Sequence, residues 1–148
     1  MNPAIRLGYW KRGLLVLAAL AMFAVLVAAA GIDPYSSDGR PLSMGTHQQL
    51  GLPACGFVVL TGKPCPSCGM TTSFALLMAG DVVNSMRANF VGTFLAVLCI
   101  AAIPWSLAAT WKGRYPGLRE IERPLLILVG VTTLAMLGRW GIVLLADR

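Results

Sequence analysis

The sequence predicts an all-α integral membrane protein. It would have about three transmembrane helices, a short interfacial or re-entrant helix, and a cysteine-rich loop between the first two spans. Three observations carry that prediction. Only 12% of the 148 residues are charged while 57% are hydrophobic, and a soluble domain ordinarily carries about 25% charged residues. The apolar residues are gathered into three long runs. Three of the four cysteines fall together between the first run and the second.

The first run is uncharged from Gly13 to Ile32, between Arg12 and Asp33. About 20 residues rising 1.5 Å each cover the ~30 Å hydrocarbon core of a bilayer. Lys11 and Arg12 ahead of the run, with Ala28-Ala29-Ala30 at its end, also fit a cleaved signal peptide. The apolar part of such a signal is usually about 7–15 residues, so the longer run reads as a retained span. The second run extends from Ala88 to Trp111, with Asn89 at its start, Pro104 expected to kink it, and Trp105 and Trp111 suited to the headgroup level. The third starts at Pro124, a good first-turn residue, and continues to Ala146, interrupted by Arg139.

These runs divide the chain into an N-terminal segment 1–12, a span 13–32, a cysteine-rich loop 33–70, a short helix 71–80, a helix 81–111 that leads into and forms the second span, a loop 112–123 and a span 124–146. Basic residues set the orientation of short loops. Arg6, Lys11 and Arg12 precede the first span, and Lys112, Arg114, Arg119 and Arg123 separate the last two. Both segments are expected in the cytoplasm. The long loop balances Arg40, Lys63 and Arg87 against Asp33, Asp38 and Asp81, and is expected on the extracytoplasmic side. The net charge of +6 therefore sits at the ends of apolar runs. No basic stripe with interleaved aromatics accompanies it, so the expected partner is the lipid bilayer and not nucleic acid.

Within the loop, residues 33–41 are turn-rich, and Phe57-Val58-Val59-Leu60-Thr61 is a short β-prone run between Gly56 and Gly62. Cys65-Pro66-Ser67-Cys68-Gly69 comes next. Two cysteines separated by two residues can turn both sulfurs to one point, and the glycine permits a positive φ that aims backbone amides at them. His47, Cys55, Cys65 and Cys68 together supply one imidazole and three thiolates, a combination that holds structural zinc. The same motif has a redox reading. With Cys65 at a helix start and Pro66 in its first turn, the helix N-terminus would favour a thiolate, and Cys65 and Cys68 would form a thiol–disulfide pair with Cys55 as relay. Cys99, alone in the second span, reads as packing.

After the motif, Phe74, Leu77, Met78 and Val82 fall near helical spacing and give one apolar face, in contact with core or lipid. Gly80 is a helix stop and Asp81 an N-cap for the helix that leads into the second span. Arg139 is a charge inside a span, which marks a functional hypothesis by default. It lies about two turns from the end of its run, beside Trp140, so it either snorkels to the surface or pairs with Asp81, the nearest plausible carboxylate.

Leu52-Pro53-Ala54-Cys55, Thr61-Gly62-Lys63-Pro64-Cys65-Pro66-Ser67-Cys68-Gly69-Met70-Thr71, Gly80-Asp81 and Asn89 together resemble a bacterial membrane family catalogued as domain of unknown function 2752. The resemblance covers about residues 47–100 and implies Cys55, Cys65, Cys68, Gly69, Thr71, Asp81 and Asn89 as signature positions. It also implies a bacterial cytoplasmic membrane location. Two positions depart from the pattern. Thr72 stands where the family often has arginine, and Phe90 where it has proline, so the chain is expected to pass into the second span as a smooth helix. The resulting expectation is a non-enzymatic membrane protein with a structural zinc site that supports assembly with a membrane partner. The alternative is a membrane thiol–disulfide oxidoreductase using Cys65 and Cys68.

Overall fold

The computed structural model describes residues 7–117 and 121–146. Arg6 and Arg119, which entered the charge argument, lie outside them. The chain is helical: α1 Tyr9–Ala30, a 3-10 turn Thr46–Leu50, α2 Gly56–Thr61, α3 Met70–Met78, α4 Val82–Lys112 and α5 Glu122–Ala146. Three of these, α1, α4 and α5, are long and apolar enough to cross a membrane. The all-α class with a cysteine-rich region between the first two spans therefore holds.

α1 and α4 run antiparallel. The Leu7 amide donates to the Gly113 carbonyl at 2.8 Å, joining the start of α1 to the end of α4. At the other end the Tyr35 hydroxyl donates to Asp81, just ahead of α4, at 3.2 Å. Their buried residues include Ala19, Leu26 and Ala29 on α1 and Ala88, Ala96 and Ala109 on α4. Alanines let two backbones approach where no water drives association, which is how helices pack in lipid.

α3 folds back against both helices. It ends in a Schellman turn, with Gly80 at φ 84. The Gly80 amide donates to Leu77 at 3.0 Å and the Asp81 amide to Leu76 at 2.9 Å, which satisfies carbonyls at the helix end. Asp81 then caps α4, its Oδ1 accepting from the Asn84 amide at 3.1 Å. The buried face of α3 is Thr72, Ser73, Ala75 and Leu76. Met78 and Val82 are exposed and Phe74 and Leu77 only half-buried. The Phe74, Leu77 and Met78 stripe is thus the outer face, while Leu76 with small and hydroxyl side chains fills the helix contact, because lipid accepts bulky apolar groups as readily as a core does.

Three local expectations are corrected. Residues 57–61 form α2 and not a strand, and among the described residues there is no sheet for a strand to join. A β-prone run needs a partner edge; this one begins after Cys55 and is stopped by Gly62 at φ 69. Cys65 does not begin a helix: Cys65–Cys68 is a turn, and α3 starts at Met70 with Gly69 as its N-cap. α4 is not smooth at its start either. Asn89 has φ −162 and ψ 103, which breaks the helix there, whereas Pro104 stays within it. The Asn89 carboxamide is the cause: its Oδ1 accepts from the Gly92 amide at 3.1 Å and caps the second segment from inside.

α5 stands apart, meeting α4 sparsely. A gap lined by Leu98, Trp105, Leu125 and Leu128 separates the two helices near the start of α5. Contact tightens at the opposite end. There the Arg139 Nη2 donates to the Ala88 carbonyl at 2.7 Å and the Trp140 Nε1 donates to the Pro64 carbonyl at 2.8 Å.

Candidate metal centre

The three loop cysteines come from two short devices. Cys55 precedes α2, and that single short helix turns the chain so that Pro64 and Cys65 return beside it. The Cys65–Cys68 turn is then closed by the Cys68 amide donating to the Cys65 carbonyl at 3.1 Å. The sulfurs of Cys55, Cys65 and Cys68 all lie within 4.8 Å of one another. Cys65 and Cys68 Sγ are 2.8 Å apart, Cys68 and Cys55 Sγ 4.0 Å apart, and the chain has no disulfide among these residues. The Cys65 amide donates to Cys68 Sγ at 3.1 Å, the amide-to-sulfur bond that a thiolate ligand favours.

Electrostatics divide the pair. Partial burial pushes the Cys65 thiol up, but hydrogen bonds from Cys68, Ser67 and Cys55 outweigh it and bring the value down to about 7. Burial and the neighbouring Cys65 sulfur push Cys68 up to about 12.

The turn is clamped from beneath. Gly69 has φ +83, and a Cβ there would stand 2.7 Å from both the Ala88 and Ser43 carbonyl oxygens. The Asn89 Nδ2 donates to the Cys68 carbonyl at 3.2 Å. Below it lies a polar seam sealed between α3 and α4. Ser85 Oγ donates to the Ser73 carbonyl at 2.7 Å and lies 2.7 Å from Thr93 Oγ1, which in turn donates to the Asn89 carbonyl at 3.1 Å. Gly92 completes the seam, since a Cβ there would overlap Ser73 Oγ.

His47 shares a cleft of about 410 Å³ with the three cysteines and Thr71. Its Nε2 is 3.2 Å from the Pro53 carbonyl, and it is not among the clustered donors. Asp81 lies with Tyr35 and Asn84, and Arg139 meets the Ala88 carbonyl and not Asp81. Cys99 is half-buried in α4. Sequence reasoning missed Ser73, Ser85 and Thr93. Their only sequence signal is small hydroxyl side chains recurring at helical spacing beside Asn89.

Residues 55–103 match the family model described as a protein of unknown function, DUF2752. The matched stretch runs from Cys55 through α2, α3 and the α4 break, and contains all three clustered cysteines, Gly69 and Asn89. His47 and Arg139 fall outside it. No curated protein and no solved structure matches the chain.

Proposed function

We propose that the cysteine turn is a structural zinc site, held by Cys55, Cys65 and Cys68, in a non-enzymatic membrane protein. The observation that carries this reading is the convergence of three sulfurs within 4.8 Å with a backbone amide aimed at one of them. Zinc–sulfur bonds of about 2.3 Å in a tetrahedron set sulfurs about 3.8 Å apart. The Cys55–Cys68 separation is already near that, and Cys65 needs a modest side-chain rotation. His47, on the same cleft, is the nearest residue able to complete the tetrahedron by turning from Pro53. Between Asp33 and Cys68 only Pro34 and Thr46 are buried. A segment with so little core gains order from a metal.

The loop faces the extracytoplasmic side of a bacterial cytoplasmic membrane in this reading, with the basic ends of α1 and α4 in the cytoplasm. Ordered by zinc, it presents a surface to a membrane-protein partner.

Metal analysis and thiol counting on detergent-purified protein test the proposal. One zinc per chain is expected, with Cys55, Cys65 and Cys68 becoming reactive only after chelation. Each single Cys→Ser change should abolish stoichiometric zinc.

The 2.8 Å approach of Cys65 to Cys68 favours one second reading, a thiol–disulfide pair. In it the two thiols release two protons and two electrons to a quinone in the bilayer, forming the Cys65–Cys68 disulfide and the quinol. Zinc-free protein with a reversible Cys65–Cys68 disulfide would establish that reading and end the first.

A further inference from the structure

Arg139 is an ionised group in a helix otherwise suited to lipid, and such a charge is costly unless something compensates it. Its Nη2 donates to the Ala88 carbonyl at 2.7 Å. That carbonyl belongs to the last residue before the Asn89 break. A guanidinium has five N–H donors, and among the described residues only this one bond engages them. The position of the anchor matters. The Ala88 oxygen lies under Gly69, where a Cβ would stand 2.7 Å from it, and Gly69 follows Cys68 directly. Trp140, the next residue, holds the other flank of the motif through the Pro64 carbonyl.

We propose that Arg139 is the counter-charge of the cysteine site: its guanidinium, anchored on the Ala88 carbonyl, offsets the net negative charge that three thiolates leave on a divalent ion. Three thiolates and one Zn²⁺ sum to a single negative charge, and a neutral fourth ligand leaves that sum unchanged. An unbalanced anion at the edge of the hydrocarbon is unfavourable for the same reason as an unbalanced cation. Each offsets the other here. Arg139 thereby acts as a positioning and charge-compensating residue that never ligates the metal.

The inference rests on the zinc reading, and its test separates the two. Zinc affinity is measured by competition with a chromophoric chelator for the wild-type chain, Arg139→Lys and Arg139→Gln in the same detergent, with helical content followed by circular dichroism. Lysine keeps the charge; glutamine keeps a donor without it. Wild-type and Arg139→Lys are expected to bind one zinc with affinities within about threefold of each other, and Arg139→Gln roughly tenfold or more weaker. Raising ionic strength should narrow that gap. Equal affinity in all three overturns the inference and leaves the zinc site standing. Equal loss in both variants also overturns it, by assigning Arg139 to the fold alone. A wild-type chain that binds no zinc overturns both.

Discussion

Gly69 shows how much can hang on one missing side chain. Its φ of +83 disfavours any L-residue, a strain of about 1–2 kcal/mol. A Cβ there would also meet two main-chain oxygens at 2.7 Å, and neither can swing aside as a side chain could. Gly62 is the natural control, with φ +69 and open space around it. Gly69→Ala should lower the thermal midpoint clearly more than Gly62→Ala, and it alone should impair zinc retention; equal losses would mean that the close approach is unimportant. The glycine's positive φ was legible in the sequence because the CPxCG spacing calls for it. The atoms it presses against were not. Ala88 and Ser43 contribute only carbonyl oxygens, and every residue has one of those. The same anonymity hid the partner of Arg139. A sequence search for an opposite charge finds Asp81, but the structure supplies a backbone oxygen freed by the helix break.

At the scale of the element, the junction of α3 and α4 holds two caps in succession, and they behave differently. Asp81 is half-buried, and the Asn84 side chain and amide, with help from the Tyr35 hydroxyl, hold its carboxyl below the ordinary value. A depressed folded value means that this contribution to stability is complete above the unfolded pKa of about 3.9. It is lost as pH falls through the folded value. Thermal midpoints measured from pH 6 downward should therefore decline in that acid window, and Asp81→Asn should flatten the decline by lowering the midpoint near neutrality, where the ionised cap contributes in full. Asn89 is buried, and the effect of changing it is independent of acid. Asn89→Ala removes both the cap on Gly92 and the bond to the Cys68 carbonyl, a loss of about 1–3 kcal/mol, visible as a lower midpoint at every pH. The Asp81 cap was readable because a Gly-Asp pair after an apolar run is a local signal. The break at Asn89 was not, since the expectation of a smooth helix rested on Phe90 replacing a proline. The break comes from the capping bond of the Asn89 side chain, which proline at the next position does not decide.

Over the whole molecule, the three spans and the helical class were legible because hydrophobic length against bilayer thickness is a one-dimensional criterion. The packing order was not. α1, α3 and α4 form the packed unit, whereas α5 joins through Arg139, Trp140 and the edge contact of Trp140 with Phe57 at 5.9 Å. Trp140→Phe keeps an aromatic ring against Phe57 but removes the donor to Pro64. Hydrogen exchange in residues 62–70 should then quicken while α1 is unaffected. Unchanged exchange around Pro64 would show that α5 does not steady the cysteine turn.

That mode of attachment has a consequence for how the chain is made. A ribosome delivers α5 after the cysteine turn and the broken helix have already left it. Until that helix arrives, the Ala88 and Pro64 carbonyls have no donor from it, and the turn above them lacks its flanking clamp. The motif is thus written early in the chain and finished late. Synthesis halted in the connection after α4 would leave all three cysteines in the membrane's vicinity, with their site incomplete.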